Sequence, residues 1–365
     1  MLPCPDNSKG PPICFPYWRF KGFLYSCGPA GTEHKFIDLS RQALESEYFP
    51  ASLGLRSQAL KLRFALPETK GTFIRPVILP ADIIHSTRKL FSSQKECNTQ
   101  IQSFIGETTS IIYAPFHVIN NKLYDSILGI PVLSQLSDDF DINNYTAENP
   151  DWPIAFIPAL CPACGWDLTG ERDSLVLLCR NCDSAWHHRN KRLEKIGMGY
   201  IPDGSDNHMF LPFWMIRAGI SGIDPGAYAD LVKSAGLPAA VQEFRNEGKF
   251  IFWIPAFKIR AHHFLRIAKQ MTFVQPPDEF TEKAPDGTMH SVTLPVTEAI
   301  ESLKIIMSGF IESKKNLFLS LIDAVIIPES YYLVYVSFRT GPHDLINEKY
   351  HIALNNNVLS TAGNL

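Results

Sequence analysis

Residues 161–182 contain two closely spaced pairs of cysteines, Cys161-Pro162-Ala163-Cys164-Gly165 and Cys179-Arg180-Asn181-Cys182. A short β-prone run, 173–178, leads directly into the second pair. In each pair, two sulfur atoms can reach one metal ion from a single tight turn, and Gly165 supplies the permissive backbone that such a turn often requires. The spacing predicts that one Zn²⁺ is bound in tetrahedral geometry by Cys161, Cys164, Cys179 and Cys182.

This segment resembles the zinc-ribbon and rubredoxin-knuckle family, and the resemblance covers only residues 161–182 of a 365-residue chain. It implies that the four cysteines bind one metal, in a ribbon used for nucleic-acid contact, protein docking or, with iron, electron transfer. Fold-level analogy does not select one of these functions. A Cys4 site is coordinatively closed, which favours structural zinc. Iron is the alternative, although the second pair lacks the Pro and Gly of the first.

The composition indicates a globular protein. Hydrophobic residues make up 45% of the chain and charged residues 19%, far from the composition of disordered chains. A length of 365 residues predicts two or three compact domains. The net charge of −3 means that the molecule as a whole presents no polycationic face for nucleic acid, although a local basic patch could exist.

The pattern of short apolar runs and helical segments predicts an α+β fold, with short antiparallel β units and peripheral helices on either side of a central Cys4 zinc ribbon. Three domains are expected: 1–150, an N-terminal α+β domain; 151–200, the ribbon with a basic extension; and 201–365, a C-terminal α+β domain. A hairpin is predicted to turn at Asn120-Asn121. Helices are predicted over Ser40–Glu47, Pro80–Gln94, Ala227–Ala235, His262–Met271 and Thr297–Ile311.

A short motif recurs on both sides of the ribbon. Pro16–Gly22, Pro212–Ala218 and Pro255–Ala261 each place an aromatic residue two positions after Pro, an apolar residue at four and a basic one at five. We interpret each copy as a strand that begins at its Pro, and the C-terminal domain as a duplicate of the N-terminal strand units; chance similarity is the alternative. Period-two alternation then predicts that Trp18, Trp214, Phe257, Phe20, Ile216 and Ile259 face the core, and that Arg19, Met215 and Lys258 face away.

Basic residues surround the second cysteine pair, and two Trp residues lie nearby. Basic side chains attract phosphates and Trp rings stack on bases, so this patch is a candidate nucleic-acid surface. The alternative is an ordinary solvated face, with both Trp rings in the small core of the ribbon. The candidate residues are Arg180, Arg189, Lys191, Arg192, Lys195 and Trp186, with Trp166 as the second ring.

The distribution of cysteines favours a reducing compartment. Four of the eight cysteines fall into metal-type pairs, no secretion signal accompanies them, and no run of 18 apolar residues occurs. We therefore expect a cytoplasmic protein without a membrane span. The other cysteines have no comparable spacing and are predicted to be buried free thiols: Cys4, Cys14, Cys27 and Cys97.

No catalytic motif can be read from the sequence, which contains no Walker A loop, GxGxxG, GxSxG or HExxH. The many aromatic strands without recognisable chemistry favour a non-catalytic, zinc-binding adaptor or assembly factor with protein partners. Nucleic-acid binding through the ribbon is the second hypothesis. An enzyme or accessory subunit with dispersed catalytic residues is the third.

Overall fold

The structure is a computed structural model. It describes most of the chain, in these ranges: 1–3, 11–28, 31–66, 68–80, 82–83, 101–133, 135–137, 140–145, 157–189, 192–202, 208–222, 249–276, 280–311 and 315–360. The predicted helices Pro80–Gln94 and Ala227–Ala235 fall mostly or wholly outside these ranges, as do Cys4, Cys97 and Lys191.

The fold is mostly β, with 45% strand and 17% helix, and its curled antiparallel sheets form half-barrels. The prediction of an α+β fold with helices flanking a central ribbon is therefore wrong. One source of the error is the helix predicted over residues 40–47. This segment is instead the end of a strand followed by bends. The strands are also much longer than the apolar runs that suggested them.

The chain divides into two compact units. One comprises Met1–Gly22, Phe36–Cys97 and Glu107–Ile154, and the other comprises Phe23–Lys35, Asn98–Gly106 and Ala155–Leu365. The ribbon and the C-terminal sheet thus belong to the same unit. The division of the sequence at residues 150 and 200 into domains stays a prediction, because it concerns which segments fold on their own.

The first sheet contains five strands in the order β2-β1-β4-β5, with β3 parallel to β1. Antiparallel β4 and β5 are joined by the predicted hairpin turn, where Asn120 and Asn121 adopt positive φ angles of 48° and 59°. The elements are β1 Ile13–Gly28, β2 Gly31–Gln42, the short helix α1 Arg56–Ala59, β3 Thr72–Phe73, β4 Ile101–Ile119, β5 Lys122–Asp125 and the 3₁₀ turn Ile142–Asn144.

The ribbon contributes a separate three-stranded sheet in the order β6-β7-β8, antiparallel throughout. Its strands are β6 Val176–Cys179, β7 Ser184–Arg189 and β8 Arg192–Ile196. One face of this sheet joins the main core of its unit, because Val176, Ala185 and Ile196 are buried there.

The second large sheet has seven strands in the order β11-β10-β13-β14-β15, with β12 parallel to β10 and β9 parallel to β13. Its strands are β9 Met198–Ile201, β10 His208–Ser221, β11 Lys249–Pro255, β12 Thr288–Met289, β13 Val325–Thr340, β14 Asp344–Asn347 and β15 Ile352–Asn355. The helices of this region are α2 Ala261–Val274, α3 Val296–Ser308, α4 Lys315–Asp323 and α5 Asn356–Ser360.

In the first sheet, a continuous run of hydrogen bonds joins residues from three distant parts of the sequence. Pro16 O accepts from Ala43 N at 3.0 Å, and Ala43 O accepts from Ile78 N at 2.8 Å. Ile78 O accepts from the indole Nε1 of Trp18 at 2.7 Å. This run ties the central strand β1 to the segments that follow β2 and β3.

The second sheet contains the same run of hydrogen bonds. Pro212 O accepts from Ala256 N at 2.9 Å, and Ala256 O accepts from Leu294 N at 3.0 Å. Leu294 O accepts from Trp214 Nε1 at 2.9 Å. The two sheets therefore share the order of four strands, β2-β1-β4-β5 in the first and β11-β10-β13-β14 in the second, and the contacts that surround the repeated Pro-x-Trp motif. Duplication of the strand unit stays a prediction, which this correspondence supports.

The sequence predicted that each Pro of the motif begins a strand, and this prediction is wrong. Pro16 and Pro212 lie inside β1 and β10, and Pro255 is the last residue of β11, so the third copy, Pro255–Ala261, is not a strand. Pro212 sits where β10 changes neighbours, from parallel pairing with β12 at Met209 and Phe210 to antiparallel pairing with β11 from Phe213 onward. At the point where β10 passes from one neighbour to the other, neither β12 nor β11 needs a backbone N–H from it. Pro212 therefore costs the sheet no hydrogen bond on that side.

Both faces of the central strand are covered, which changes the expected alternation of side chains. Trp214, Phe257, Phe20, Ile216 and Ile259 are buried as predicted, whereas Trp18 is only half-buried. Met215, expected to face outward, is buried as well. Arg19 forms an ion pair with Asp38 at 2.5 Å, and Lys258 is half-buried. The sequence of a strand that is buried on both faces is a continuous apolar run rather than an alternation of apolar and polar residues.

Candidate metal centre

The first cysteine pair lies in a tight turn closed by two backbone hydrogen bonds. Cys161 N donates to Trp166 O at 2.7 Å, and Gly165 N donates to Cys161 O at 2.8 Å. Gly165 adopts a φ of +74°, in the left-handed region that favours glycine. The first knuckle, residues 161–166, is therefore built as the sequence predicted.

The second cysteine pair occupies the turn between β6 and β7, where Cys179 and Ser184 are paired. Asp183 occupies the position that Gly165 has in the first knuckle and also adopts a positive φ, 48°. Asp tolerates this conformation better than most residues. Its Oδ1 accepts a hydrogen bond from Ala284 N at 3.1 Å. The second knuckle, residues 179–184, thus achieves without glycine the turn that the first achieves with it.

The four sulfur atoms converge on one point. All lie within 4.8 Å of one another. Cys161 Sγ lies 3.6 Å from Cys182 Sγ, and Cys164 Sγ lies 3.5 Å from Cys179 Sγ. A tetrahedral Zn²⁺ with Zn–S bonds of about 2.3 Å separates its ligands by roughly 3.8 Å. The arrangement fits a metal-binding knuckle, and the predicted set of four ligands is brought together in space.

The thiols influence one another's protonation. Burial raises the pKa of Cys161, but hydrogen bonds from the backbone N–H groups of Ala163 and Cys164 outweigh it and lower this pKa to about 6. Ser184 lowers the pKa of Cys182, but desolvation and the hydrogen-bonded neighbouring thiols raise it to about 12. Neighbouring thiolates oppose each other's ionisation. A divalent cation would supply the charge that allows all four to ionise.

Ser184 was not anticipated from the sequence. Its Oγ lies 3.0 Å from Cys182 Sγ and accepts a hydrogen bond from Trp186 Nε1 at 2.8 Å. The hydroxyl therefore links the sulfur cluster to the small core beneath it. That core consists of Cys161, Leu168, Cys179 and Trp186, with Leu177 and Leu193 packed against it.

The candidate nucleic-acid residues are only partly gathered on a surface. Arg180, Arg189, Arg192 and Lys195 are exposed, and Arg189 lies directly opposite Arg192 between β7 and β8. Trp186 has an exposed fraction of 8% and is held in the ribbon core. Its ring is not presented for stacking on bases. His188 is exposed, whereas His187 is half-buried and lies 3.2 Å from Glu194.

The other described cysteines are buried, as predicted. Cys14 packs with Phe73 and Tyr113, and Cys27 Sγ contacts Thr32 Oγ1 at 3.1 Å. None of the six cysteines in the described ranges forms a disulfide.

Comparisons of the chain with protein-family models, with curated proteins and with solved structures found no match. Within the described ranges, no helix combines the length and the apolar character needed to cross a membrane.

Proposed function

We propose that the chain binds one Zn²⁺ through the thiolates of Cys161, Cys164, Cys179 and Cys182, and that this ion has a structural, non-catalytic role. The convergence of four sulfur atoms within 4.8 Å carries this proposal. Four thiolates complete the tetrahedral shell of zinc and leave no position for water or substrate.

The composition of the ribbon core explains why the ion would matter for folding. Two of its four buried members, Cys161 and Cys179, are themselves the proposed ligands, and the other two are Leu168 and Trp186, with Leu177 and Leu193 partly buried against them. So small a core gives little hydrophobic stabilisation, and in such modules the free energy of metal binding contributes directly to folding.

Substitution at Cys164 tests the structural role. Cys164 is exposed, so Cys164→Ser removes a ligand without removing buried apolar contacts. We expect zinc affinity to fall by more than the roughly 10- to 100-fold lost when a group hydrogen-bonded to a ligand is removed. The matched control is Ala163→Ser, which adds a hydroxyl at the neighbouring exposed position and should retain zinc. Equal zinc affinity in both variants would contradict the proposal.

We further propose that the ribbon docks protein partners as part of an adaptor or assembly factor in the cytoplasm. The support is Trp166, whose exposed fraction is 60%, beside Leu160 at 49%. The backbone of Trp166 is held by its hydrogen bond to Cys161, so zinc would fix the position of an exposed aromatic side chain. Large aromatic side chains presented on a rigid base are typical energetic centres of protein interfaces. The cytoplasmic location is supported by the free thiols.

The docking proposal is tested by affinity purification of the full chain at native abundance. We expect at least one protein to be retained by the wild type and lost with Trp166→Ala, since the exposed ring would anchor the contact. The matched control is Phe64→Ala, which removes an exposed aromatic side chain outside the ribbon. If every retained protein is retained equally by both variants, the ribbon is not the docking surface.

A further inference from the structure

A small pocket, which we call the β6 pocket, lies between the ribbon and the second large sheet, within one compact unit. Its volume is about 150 Å³, and it is bordered by β6, the loop 169–174, the segment 289–291 and β13. A backbone hydrogen bond from Leu175 N to Val292 O, 2.8 Å long, joins two of these walls. Drug-sized ligands occupy roughly 300 Å³ or more, so this pocket suits a molecule of only a few non-hydrogen atoms.

Tyr335 is the most deeply buried polar side chain of the β6 pocket, with an exposed fraction of 1%. Its ring stacks on that of Tyr200, with the ring centroids 5.7 Å apart. Its Oη makes no hydrogen bond to any residue that the structure describes, yet this atom is not sealed from solvent, so it opens into the pocket. Burial raises the pKa of Tyr335, so the hydroxyl is protonated at pH 7 and can donate to a ligand.

His290 gives the pocket a hydrogen-bond acceptor. Its Nδ1 lies 3.0 Å from Ser291 O, and this contact places the ring proton on Nδ1, because a carbonyl oxygen only accepts. Burial is the largest effect on the pKa of His290 and lowers it, so the ring is neutral at pH 7. Nε2 therefore carries a lone pair, and it accepts no hydrogen bond from the rest of the described chain.

Two opposite charges border the β6 pocket, one near each of these polar groups. Burial, the main cause, raises the pKa of Tyr200 to about 12, and the positive charge of Arg180 opposes this rise, which places Arg180 near the stacked pair of Tyr200 and Tyr335. The carboxylate of Glu171 opposes the effect of burial on the pKa of His290, which places Glu171 on that side. Neither charge is neutralised by an ion pair within the described ranges.

Apolar side chains form the remaining wall of the β6 pocket. Val176 and Leu178 are two residues apart on β6 and therefore lie on the same face of the strand. Val176 is buried, and Leu178 and Met289 are half-buried. The pocket thus combines two opposite charges with a short apolar surface.

We propose that the β6 pocket binds a free amino acid with a small aliphatic side chain. The carboxylate of the ligand would accept hydrogen bonds from Tyr335 Oη and Arg180. Its ammonium group would donate to His290 Nε2 and to Glu171. The aliphatic side chain would lie against the apolar wall. This proposal goes beyond the zinc ion and the docking surface, since neither a proposed zinc ligand nor Trp166 lines the pocket.

Isothermal titration calorimetry on the full-length protein tests this assignment with three probes: L-alanine, propionate and ethylammonium. Propionate lacks the ammonium group of L-alanine, and ethylammonium lacks its carboxylate. We expect saturable binding of L-alanine at millimolar concentrations. Each of the other probes should bind about tenfold more weakly or worse, because one set of charge-assisted hydrogen bonds is missing.

A pair of Tyr variants locates the site. Tyr335→Phe removes only the hydroxyl and should weaken the binding of L-alanine about tenfold, the effect expected for a lost hydrogen bond to a charged group. The matched control is Tyr200→Phe, which removes the hydroxyl of the stacked neighbour that does not line the pocket and should bind within a few-fold of the wild type. An unchanged melting temperature would show that each variant is folded.

A second pair of variants tests the positive charge. Arg180→Gln should weaken the binding of L-alanine, whereas Arg192→Gln removes an exposed charge of the ribbon that does not line the pocket and should leave the binding unchanged. Arg180 lies between two proposed zinc ligands, so the zinc content of both variants is measured as well. Weaker binding at unchanged zinc content would separate this site from the proposed metal centre.

Three outcomes would overturn the proposal. Absence of saturable binding of L-alanine at millimolar concentrations would show that the pocket does not take this class of ligand. Equal losses of affinity in Tyr335→Phe and Tyr200→Phe would show that the binding occurs elsewhere. Binding of propionate or ethylammonium as tight as that of L-alanine would show that the pocket does not recognise a zwitterion.

Discussion

At the residue scale, each of the two cysteine knuckles depends on the one residue that follows its second cysteine, Gly165 in the first and Asp183 in the second. Gly165 and Asp183 both adopt left-handed backbone conformations, with φ of 74° and 48°. This conformation costs roughly 1–2 kcal/mol for most residues with a side chain, and less for Asp. The turn geometry that gathers four sulfurs is therefore encoded partly in these two positions.

Substitution of Asp183 tests this dependence. Asp183→Val places a β-branched residue at positive φ and should destabilise the folded protein by about 1–2 kcal/mol relative to Asp183→Gly. Both variants lose the hydrogen bond to Ala284 N, so their difference isolates the backbone contribution. The measurement is chemical denaturation of the zinc-loaded protein. Equal stability of the two variants would contradict the role assigned to the left-handed turn.

The candidate metal site could be predicted from the sequence because the cysteines of each pair are close together in the chain. Cys161 and Cys164 are separated by two residues, and the turn between them is made by its own backbone. Asp183 could also have been found by aligning the two knuckles, since it occupies the place of Gly165. The contact between Ser184 and Cys182 could not, because it depends on the pairing of β6 with β7.

At the element scale, the central strands β1 and β10 each contain a Trp whose indole N–H donates to a backbone carbonyl, Trp18 in β1 and Trp214 in β10. Trp214, with an exposed fraction of 2%, donates to Leu294 O. Trp253, with an exposed fraction of 0%, has no hydrogen-bond partner for its Nε1 among the described residues. The two indoles are therefore similar in burial and different in hydrogen bonding.

This contrast gives a prediction with an internal control. Trp214→Phe leaves the buried carbonyl of Leu294 without its donor and should cost about 1–3 kcal/mol beyond the lost packing. Trp253→Phe removes a similar volume and an unpaired donor, so it should be distinctly less destabilising. Chemical denaturation of the two variants measures the difference. A larger loss of stability in Trp253→Phe would contradict this account of the central strands.

The length of the strands could not be predicted from local patterns. Pro212 lies in the interior of β10, and its place there is explained only by the change of neighbouring strand at that point. A sequence shows the proline but not the neighbour. For the same reason Met215 was expected to face outward, whereas the opposite face of β10 is covered too.

The exposed basic residues of β7 and β8 allow the nucleic-acid hypothesis to be tested. We expect no retention of single- or double-stranded DNA at low salt, because Trp186 is buried and the net charge of the chain is −3. Filter binding over a range of salt concentrations is the measurement. If DNA were retained, and if Arg189→Ala with Arg192→Ala reduced the salt slope by about two, the hypothesis would gain support over protein docking.

At the scale of the whole molecule, two sheets that share the order of four strands lie on either side of the ribbon sequence. The repeated Pro-x-Trp motif at residues 16–18 and 212–214 was visible in the sequence and marks the same position in each sheet. The predominance of β-structure was not visible, because sheet pairing joins residues far apart in sequence. Local propensity gives weak evidence for such pairings.

The zinc content of the purified protein tests the central claim most directly. The full chain, prepared without chelators or added metals, is examined by elemental analysis alongside Cys164→Ser. We predict about one zinc per chain in the wild type and far less in the variant, because four thiolates satisfy a single ion. Absence of zinc, or stoichiometric iron with a visible absorption band, would contradict the claim.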